Sequence, residues 1–135
     1  GAITPDWKVF GGYTFMKSEI VDDGPAAFND GKEMANVAPH SFSIWSTYRF
    51  LRDWNVGGGA FYSSERWAND ANTRKLPGYW RFDAMLSYDV TENVGLRLNV
   101  QNIFDKKFYD SAHTGGGFAY VAPGRTVLLT TAVKF

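Results

Sequence analysis

Alternation of apolar and polar side chains along six segments is the feature that most constrains how this chain folds. The six segments are Trp7–Ile20, His40–Leu51, Trp54–Ser63, Tyr79–Val90, Asn93–Asn102 and Arg125–Phe135. Successive side chains of a β-strand point to opposite faces of a sheet, so a period of two predicts a strand. No segment sustains a helical period over a comparable length. The chain is therefore predicted to be all-β, with about six antiparallel strands.

The charged residues well inside these segments fall on one face, opposite the aromatic and aliphatic side chains; they are Lys8, Arg49, Arg81, Asp83, Asp89, Arg97 and Lys134. Arg81, Asp83 and Asp89 alternate with apolar side chains in the fourth segment, and Arg97 follows the same rule in the fifth. A shift of one residue would turn all of these charges to the apolar side. Trp45 is an exception, because it lies on the polar face of the second segment. On the polar face we expect a ladder of cross-strand ion pairs.

Two environments suit such a sheet. In a soluble antiparallel sheet the apolar face is the core, whereas in an outer-membrane barrel it meets lipid and the charged face lines the lumen. The segments are long enough to cross a bilayer at a tilt, which favours the barrel. Aromatic residues near both ends of the apolar face, as in the two interfacial girdles of a barrel, are Trp7, Phe15, Phe42, Phe50, Trp54, Tyr62, Trp80 and Tyr88.

The connections between the segments alternate in length. Leu51–Asp53 and Thr91–Glu92 are tight turns, and the long connections are Val21–Pro39, Ser64–Gly78 and Ile103–Gly124. This order sends every long connection from the same end of the sheet, as in barrels with long extracellular loops and short periplasmic turns. Bacterial membrane barrels begin at about eight strands, so we expect this chain to form part of a larger wall.

Composition argues against several other functions. The absence of cysteine excludes a disulfide framework and a thiol nucleophile, and 14 basic against 14 acidic residues leave no excess charge for nucleic acid. No nucleophile elbow is present, and His40 and His113 lack carboxylates at metal-ligand spacing. We therefore expect no enzyme, no catalytic residues, no metal site and no cofactor. The triplet Gly57–Gly59 is expected to ease strand curvature or to allow close backbone packing.

A resemblance to a known family rests on four stretches: DWKVFGGYTFMKSEI, NVAPHSFSIWSTY, PGYWRFDAMLSYDVTENVGLRLNVQNIFDKKFYDS and VAPGRTVLLTTAVKF. Together they resemble the C-terminal barrel strands of TonB-dependent siderophore receptors. The resemblance implies a barrel of about 22 strands, an N-terminal plug domain and uptake of ferric siderophores across the bacterial outer membrane. Residues 1–135 would then be a C-terminal segment of that barrel, and the plug lies outside this chain.

The resemblance also implies partners. The transported ligand would be a ferric siderophore, the energy would come from the TonB complex through the plug, and the wall would contact outer-membrane lipid. The last strand resembles the signal by which the barrel-assembly machinery recognises its clients. The residues of that signal are Val127, Leu129, Thr131, Val133 and Phe135.

Aromatic and cationic side chains in the long connections are the candidates for ligand contact. Stacking, cation–π contacts and charge attraction suit a bulky, aromatic, anionic chelate. The candidates are Arg66, Trp67, Arg74, Phe108, Tyr109, His113, Phe118 and Tyr120. For each of them, packing within the loops is the alternative interpretation. The alternatives for the whole chain are a plugless porin-type or adhesin barrel and a soluble, lipocalin-like binding protein.

Overall fold

The computed structural model describes residues 1–22, 24–26, 28–113, 115 and 117–135. Within these ranges the strands are β1 Trp7–Phe15, β2 His40–Leu51, β3 Trp54–Ser63, β4 Arg66–Trp67, β5 Lys75–Leu76, β6 Tyr79–Thr91, β7 Val94–Gln101, β8 Tyr109–Ala112, β9 Ala119–Val121 and β10 Thr126–Val133. One turn of 3-10 helix lies at Gly24–Ala26. In the described ranges, no helix has both the length and the apolar character needed to span a membrane.

The six long strands form one antiparallel sheet in the order β1-β2-β3-β6-β7-β10. Each long strand pairs with the long strand before it in the chain, which confirms the predicted all-β antiparallel architecture. The three long connections therefore lie at one end of the sheet and the two tight turns at the other. Within the described ranges β1 and β10 each have one neighbour, so the sheet is an open wall and this chain does not close a barrel.

Two details differ from the sequence prediction. β1 ends at Phe15 rather than at Ile20, because its partner β2 begins at His40, directly opposite Phe15. The long connections also contain two short hairpins, β4–β5 and β8–β9. Their strands are two to four residues long, which is too short for alternation to be recognised.

The apolar side chains of neighbouring strands form rows on one face of the wall. One row crosses four strands through Val56, Leu86, Leu98 and Leu129. All four are exposed, and the exposed fraction of Leu129 reaches 66%. A soluble sheet would bury such a row in a sealed core. The wall instead leaves this apolar face uncovered, as the membrane interpretation predicts, and we call it the outward face.

The opposite face of the wall holds Trp45 against a glycine surface. Trp45 pairs with Gly59 in the register of β2 and β3. A methyl group added at Gly59 would overlap the indole ring and would lie 2.9 Å from the Ile44 carbonyl oxygen, and one added at Gly57 would lie 3.0 Å from Trp45 Cζ2. The expected close packing is thus confirmed for Gly57 and Gly59, whereas Gly58 has room for a methyl group. The close packing also explains why Trp45 can occupy the polar face.

The charges on this face form an ion pair within one strand. Arg81 Nη2 lies 3.0 Å from Asp83 Oδ2, and Asp83 is 8% exposed. Asp89 lies opposite Gly95, and Arg97 lies opposite Ser87. The expected cross-strand ladder was therefore wrong, because the register places small residues rather than opposite charges across from Asp89 and Arg97.

Asn102 shapes the chain where it leaves β7. This residue is 2% exposed and has a φ of 52°, a left-handed conformation that asparagine tolerates better than most residues. Its side-chain amide donates to the Lys106 carbonyl at 2.9 Å and accepts from the Lys106 N–H at 3.0 Å. Its own N–H donates to Asp83 Oδ1 at 2.9 Å. The polar groups of buried Asn102 in this turn are thus paired.

Asp105 joins the two ends of the last long connection. Its Oδ1 accepts the Arg125 N–H at 2.7 Å, directly before β10 begins. A methyl group added at Gly124 would lie 2.7 Å from the same oxygen, so only glycine leaves room for this contact. The last two of the four stretches that carry the family resemblance therefore touch in the fold.

Candidate ligand-binding site

Hydrogen bonds join the three long connections into one unit, at the end of the wall opposite the two tight turns. We refer to residues 16–39 as loop 1, 64–78 as loop 2 and 102–125 as loop 3, and to the unit as the loop cluster. In most of the junctions described below, a side chain of one loop binds the backbone of another. Such contacts replace the strand pairing that the loops lack.

Asn36 connects loop 1 to both other loops. Its side-chain Oδ1 accepts the Ala112 N–H at 2.7 Å, and its Nδ2 donates to the Ala112 carbonyl at 2.9 Å. Its backbone N–H donates to the Trp67 carbonyl at 2.8 Å. A φ of 63° turns the chain so that side chain and backbone reach different loops. One residue thus contacts all three loops.

Asn72 forms a similar pair of side-chain hydrogen bonds between loops 2 and 1. Its Nδ2 donates to the Glu33 carbonyl at 2.7 Å, and its Oδ1 accepts the Glu33 N–H at 2.9 Å. Nearby, Asp70 Oδ1 accepts the Ala35 N–H at 2.9 Å. Loop 1 is therefore held by loop 2 along several residues.

Small apolar side chains are buried between loops 2 and 3. Ala68, Leu76 and Ala112 are buried together, and Ala119 packs against them. Because Leu76 belongs to β5 and Ala112 to β8, the two short hairpins meet at this point. The hairpins position the candidate side chains described next.

Two of the predicted candidates lie inside this unit. Arg66 is 5% exposed, and its Nη2 donates to the carbonyl oxygens of Tyr109 at 2.9 Å and Asp110 at 2.5 Å. Phe108 is buried and stacks on Tyr79, with ring centroids 4.1 Å apart. Both contacts bind loop 3 to its surroundings. The alternative of loop packing thus describes the environment of Arg66 and Phe108.

Three other candidates form an exposed series of rings in loop 3. His113 stacks on Phe118 with a centroid distance of 5.1 Å, and Phe118 meets Tyr120 edge to face at 5.2 Å. All three side chains are exposed. We call this group the ring hairpin. Its aromatic faces are open to a partner, which is the arrangement that stacking on a ligand requires.

The remaining candidates lie in loop 2 and at the start of β8. Trp67 is half-buried, and Lys75 Nζ lies 4.7 Å above its ring centroid while pairing with Glu65 at 2.5 Å. Arg74 and Tyr109 are exposed. The sequence analysis missed Lys75, since its partners Trp67 and Glu65 come near it only through the β4–β5 hairpin.

The other histidine begins β2 at the edge of the loop cluster, where its backbone is hydrogen-bonded to Ser64 of loop 2. His40 is on the outward face of the wall, where its Nδ1 lies 2.6 Å from the Tyr13 hydroxyl and its ring lies 5.1 Å from that of Phe15. Among the residues that the structure describes, no group of three or more His, Asp or Glu side chains is arranged to hold a metal ion. The site is therefore one of rings, amides and cations.

Comparison with known proteins identifies the family. Residues 1–103 match the family described as TonB dependent receptor-like, beta-barrel. The whole chain is 37% identical to the probable TonB-dependent receptor BfrD of Bordetella pertussis and covers 19% of it. The crystal structure of the siderophore receptor PiuA from Acinetobacter baumannii matches 98% of the chain with a TM-score of 0.85 and 35% identity, over 20% of the PiuA chain.

A second solved structure agrees. The closed form of the ferric-catecholate import receptor Fiu from Escherichia coli K12 matches the whole chain with a TM-score of 0.83 and 34% identity, over 20% of the Fiu chain. The chain spans about a fifth of the length of the curated relatives it matches. These relatives are receptors rather than enzymes. The chain belongs to the TonB-dependent receptor β-barrel family, a family of outer-membrane proteins.

Proposed function

We propose that this chain forms the C-terminal barrel wall and part of the extracellular ligand vestibule of a TonB-dependent receptor for ferric siderophores. The observation that carries the proposal is the similarity, along the full chain, to the siderophore receptor PiuA and the ferric-catecholate import receptor Fiu. Energy would come from the TonB complex through a plug domain outside these residues. The mechanism is binding followed by gated transport, with no covalent chemistry.

The exposed candidates would contact the ligand. The ring hairpin supplies His113, Phe118 and Tyr120 for stacking, since their rings are open. Trp67, Arg74 and Tyr109 lie on the neighbouring hairpins and add an aromatic face and a cation. An anionic aromatic chelate suits this combination of groups. Phe108 is buried against Tyr79 and would help to hold loop 3, which carries the ring hairpin, in place on the wall.

The last strand would serve assembly and lipid contact. Its alternate side chains continue the outward apolar face, since Val127 lies opposite Val100 and Leu129 opposite Leu98. The side chains at positions 127, 129, 131, 133 and 135 are all exposed. The proposed recognition signal for the barrel-assembly machinery comprises Val127, Leu129, Thr131, Val133 and Phe135. The neighbouring outward faces would contact outer-membrane lipid.

Uptake in a strain that lacks its own siderophore receptors tests the function. The full-length protein that carries this chain is expressed in that strain, and uptake of radioactive iron is measured with individual ferric siderophores. We expect uptake of at least one ferric siderophore, and no uptake in a matched strain without TonB. Absence of uptake with every chelate, while the protein is present and folded in the outer membrane, would contradict the proposal.

Substitution in the ring hairpin tests the proposed contact. We expect Phe118→Ala to weaken binding of the transported chelate by about tenfold, because a stacked aromatic pair contributes about 0.5–1.5 kcal/mol beyond the area it buries. Phe28→Ala is the matched control, since Phe28 is an exposed ring in loop 1 outside the ring hairpin. Quenching of intrinsic fluorescence gives both affinities. Equal affinities for the two variants would remove Phe118 from the site.

A further inference from the structure

Arg66 carries a buried charge, and no carboxylate of the described residues lies within ion-pair distance of it. Two carbonyl oxygens bind its Nη2, and the guanidinium lies 5.9 Å from the Tyr79 ring centroid. Its Nη1 is enclosed, and among the described residues it has no hydrogen-bond partner. Nor does any described carboxylate form an ion pair with Arg66. Buried charges in proteins are usually paired, so this arrangement needs an explanation.

Two other cations near loop 2 have carboxylate partners. Lys75 pairs with Glu65, and Arg81 pairs with Asp83. Holding two carbonyl oxygens does not itself require a charge, because a neutral amide also donates hydrogen bonds. The charge of Arg66, which forms no ion pair with a described residue, therefore has an electrostatic consequence. It raises the electrostatic potential around it, and burial reduces the screening of that potential by salt.

The hydrogen bonds of Arg66 place this charge beside the ring hairpin. Its Nη2 binds the carbonyl of Asp110, three residues before His113 in the same chain segment. Three extended residues span at most about 10 Å, so the charge lies within reach of a ligand stacked on the rings. Loop 3 is in turn fixed to loop 1 through Ala112 and Asn36. The charge and the rings thus form one unit.

We infer that Arg66 determines specificity for charge: it favours negatively charged ferric chelates, such as tris-catecholates, by its potential and positions the ring hairpin through its two carbonyl contacts. The inference rests on the proposed function. It concerns a residue that lies beneath the ligand rather than against it. At a separation of about 10 Å in a largely aqueous vestibule, one unit of ligand charge changes the affinity about twofold.

Two complexes of the same tris-catecholate ligand provide the test. The ferric complex carries one more negative charge than the titanium(IV) complex, while the rings keep their arrangement around the metal. Affinities are measured by fluorescence quenching with the full-length receptor and its variants. We expect Arg66→Gln to weaken binding of the ferric complex about tenfold and binding of the titanium complex only about fivefold. The reason is that the lost attraction scales with ligand charge.

Two further variants separate charge from structure. Arg66→Lys keeps the charge and should bind both complexes within about twofold of the wild type. Asp110→Asn removes the negative charge of the exposed residue whose backbone carbonyl Arg66 holds, and it should shift the preference toward the ferric complex, which tests the inference even where Arg66→Gln fails to fold. The double variant Glu65→Gln and Lys75→Gln, which removes a balanced pair, is the control for the preference.

The outcomes are distinguishable. Equal losses for the two complexes in Arg66→Gln and Arg66→Lys would show a purely structural role and overturn the inference. An unchanged preference in Asp110→Asn would count against it in the same way. Failure of the wild-type receptor to bind or transport any ferric siderophore would instead overturn the proposed function, a result visible before any variant is made.

Discussion

The wall and the loop cluster of this chain bury opposite kinds of side chain. In the wall, Leu86, Leu98 and Leu129 are exposed, whereas Asp83 on the other face is buried. In the loop cluster, Leu76 and small apolar residues are buried, as in a water-soluble protein. One sequence thus follows two packing rules, because the wall separates lipid from a wet lumen while the loops meet water on their outer surface.

The two regions are also held together differently. The wall relies on continuous backbone pairing between long antiparallel strands. The loop cluster relies on side-chain amides and a guanidinium that bind backbone groups, at Asn36, Asn72 and Arg66. Replacing a single side chain in the loop cluster should therefore reduce local order. In the wall, the effect of a substitution on stability should depend on which face the side chain occupies.

A charge placed on each face of the wall gives the largest expected difference. Val100 lies on the outward face between Ala84 and Val127, and Asn99 lies on the opposite face beside Met85. We expect Val100→Arg to destabilise the full-length barrel by about 3 kcal/mol, as for a cation near the bilayer midplane, and Asn99→Arg by less than about 1 kcal/mol. Thermal unfolding followed by heat-modifiable gel mobility measures both. Equal effects of the two substitutions would contradict the assignment of the outward, lipid-facing side of the wall.

A methyl group at the glycine surface should have the next largest effect. Gly59→Ala places its Cβ against Trp45 and 2.9 Å from the Ile44 carbonyl oxygen, and backbone yields less easily than a side chain. We expect a loss of about 2 kcal/mol in stability. Gly58→Ala, whose Cβ would lie 3.7 Å from the Asp83 carbonyl oxygen, is the control and should be nearly neutral. If Gly58→Ala proves the more harmful, the packing of Trp45 described above is incorrect.

Removal of one amide should affect the loops alone. We expect Asn36→Ala to weaken the loop cluster locally by about 1–2 kcal/mol, because the Ala112 N–H and carbonyl lose their partners. Hydrogen exchange in loops 1 and 3 should accelerate while the unfolding temperature of the wall stays unchanged. Asn36→Asp keeps the acceptor for the Ala112 N–H and should have the smaller effect. A matching loss of protection in β6 and β7 would argue against separate behaviour of the two regions.

The wall could be predicted from sequence because strand periodicity is local. The alternation of β6 and β7 determined their faces, and the two short turns determined which strands pair. The position of Trp45 could not be explained in this way. Its cause lies on the next strand, at Gly57 and Gly59, and only the register brings them together.

The loop cluster was much less predictable. Asn36 and Ala112 are 76 positions apart, and no periodic pattern marks either of them. For the same reason Arg66 and Phe108 were ranked as ligand contacts by residue type alone, whereas the fold encloses both. Residue type shows what a side chain can bind, and long-range contacts determine whether it is accessible.

The contact between Asp105 and the Arg125 N–H has a consequence for how such receptors diversify. It closes the base of loop 3, so the intervening positions 106–124 can be lengthened, shortened or exchanged without changing the register of the final strand with its neighbour. A new ligand specificity can then be acquired through changes in loop 3 alone, while the wall in the membrane stays the same.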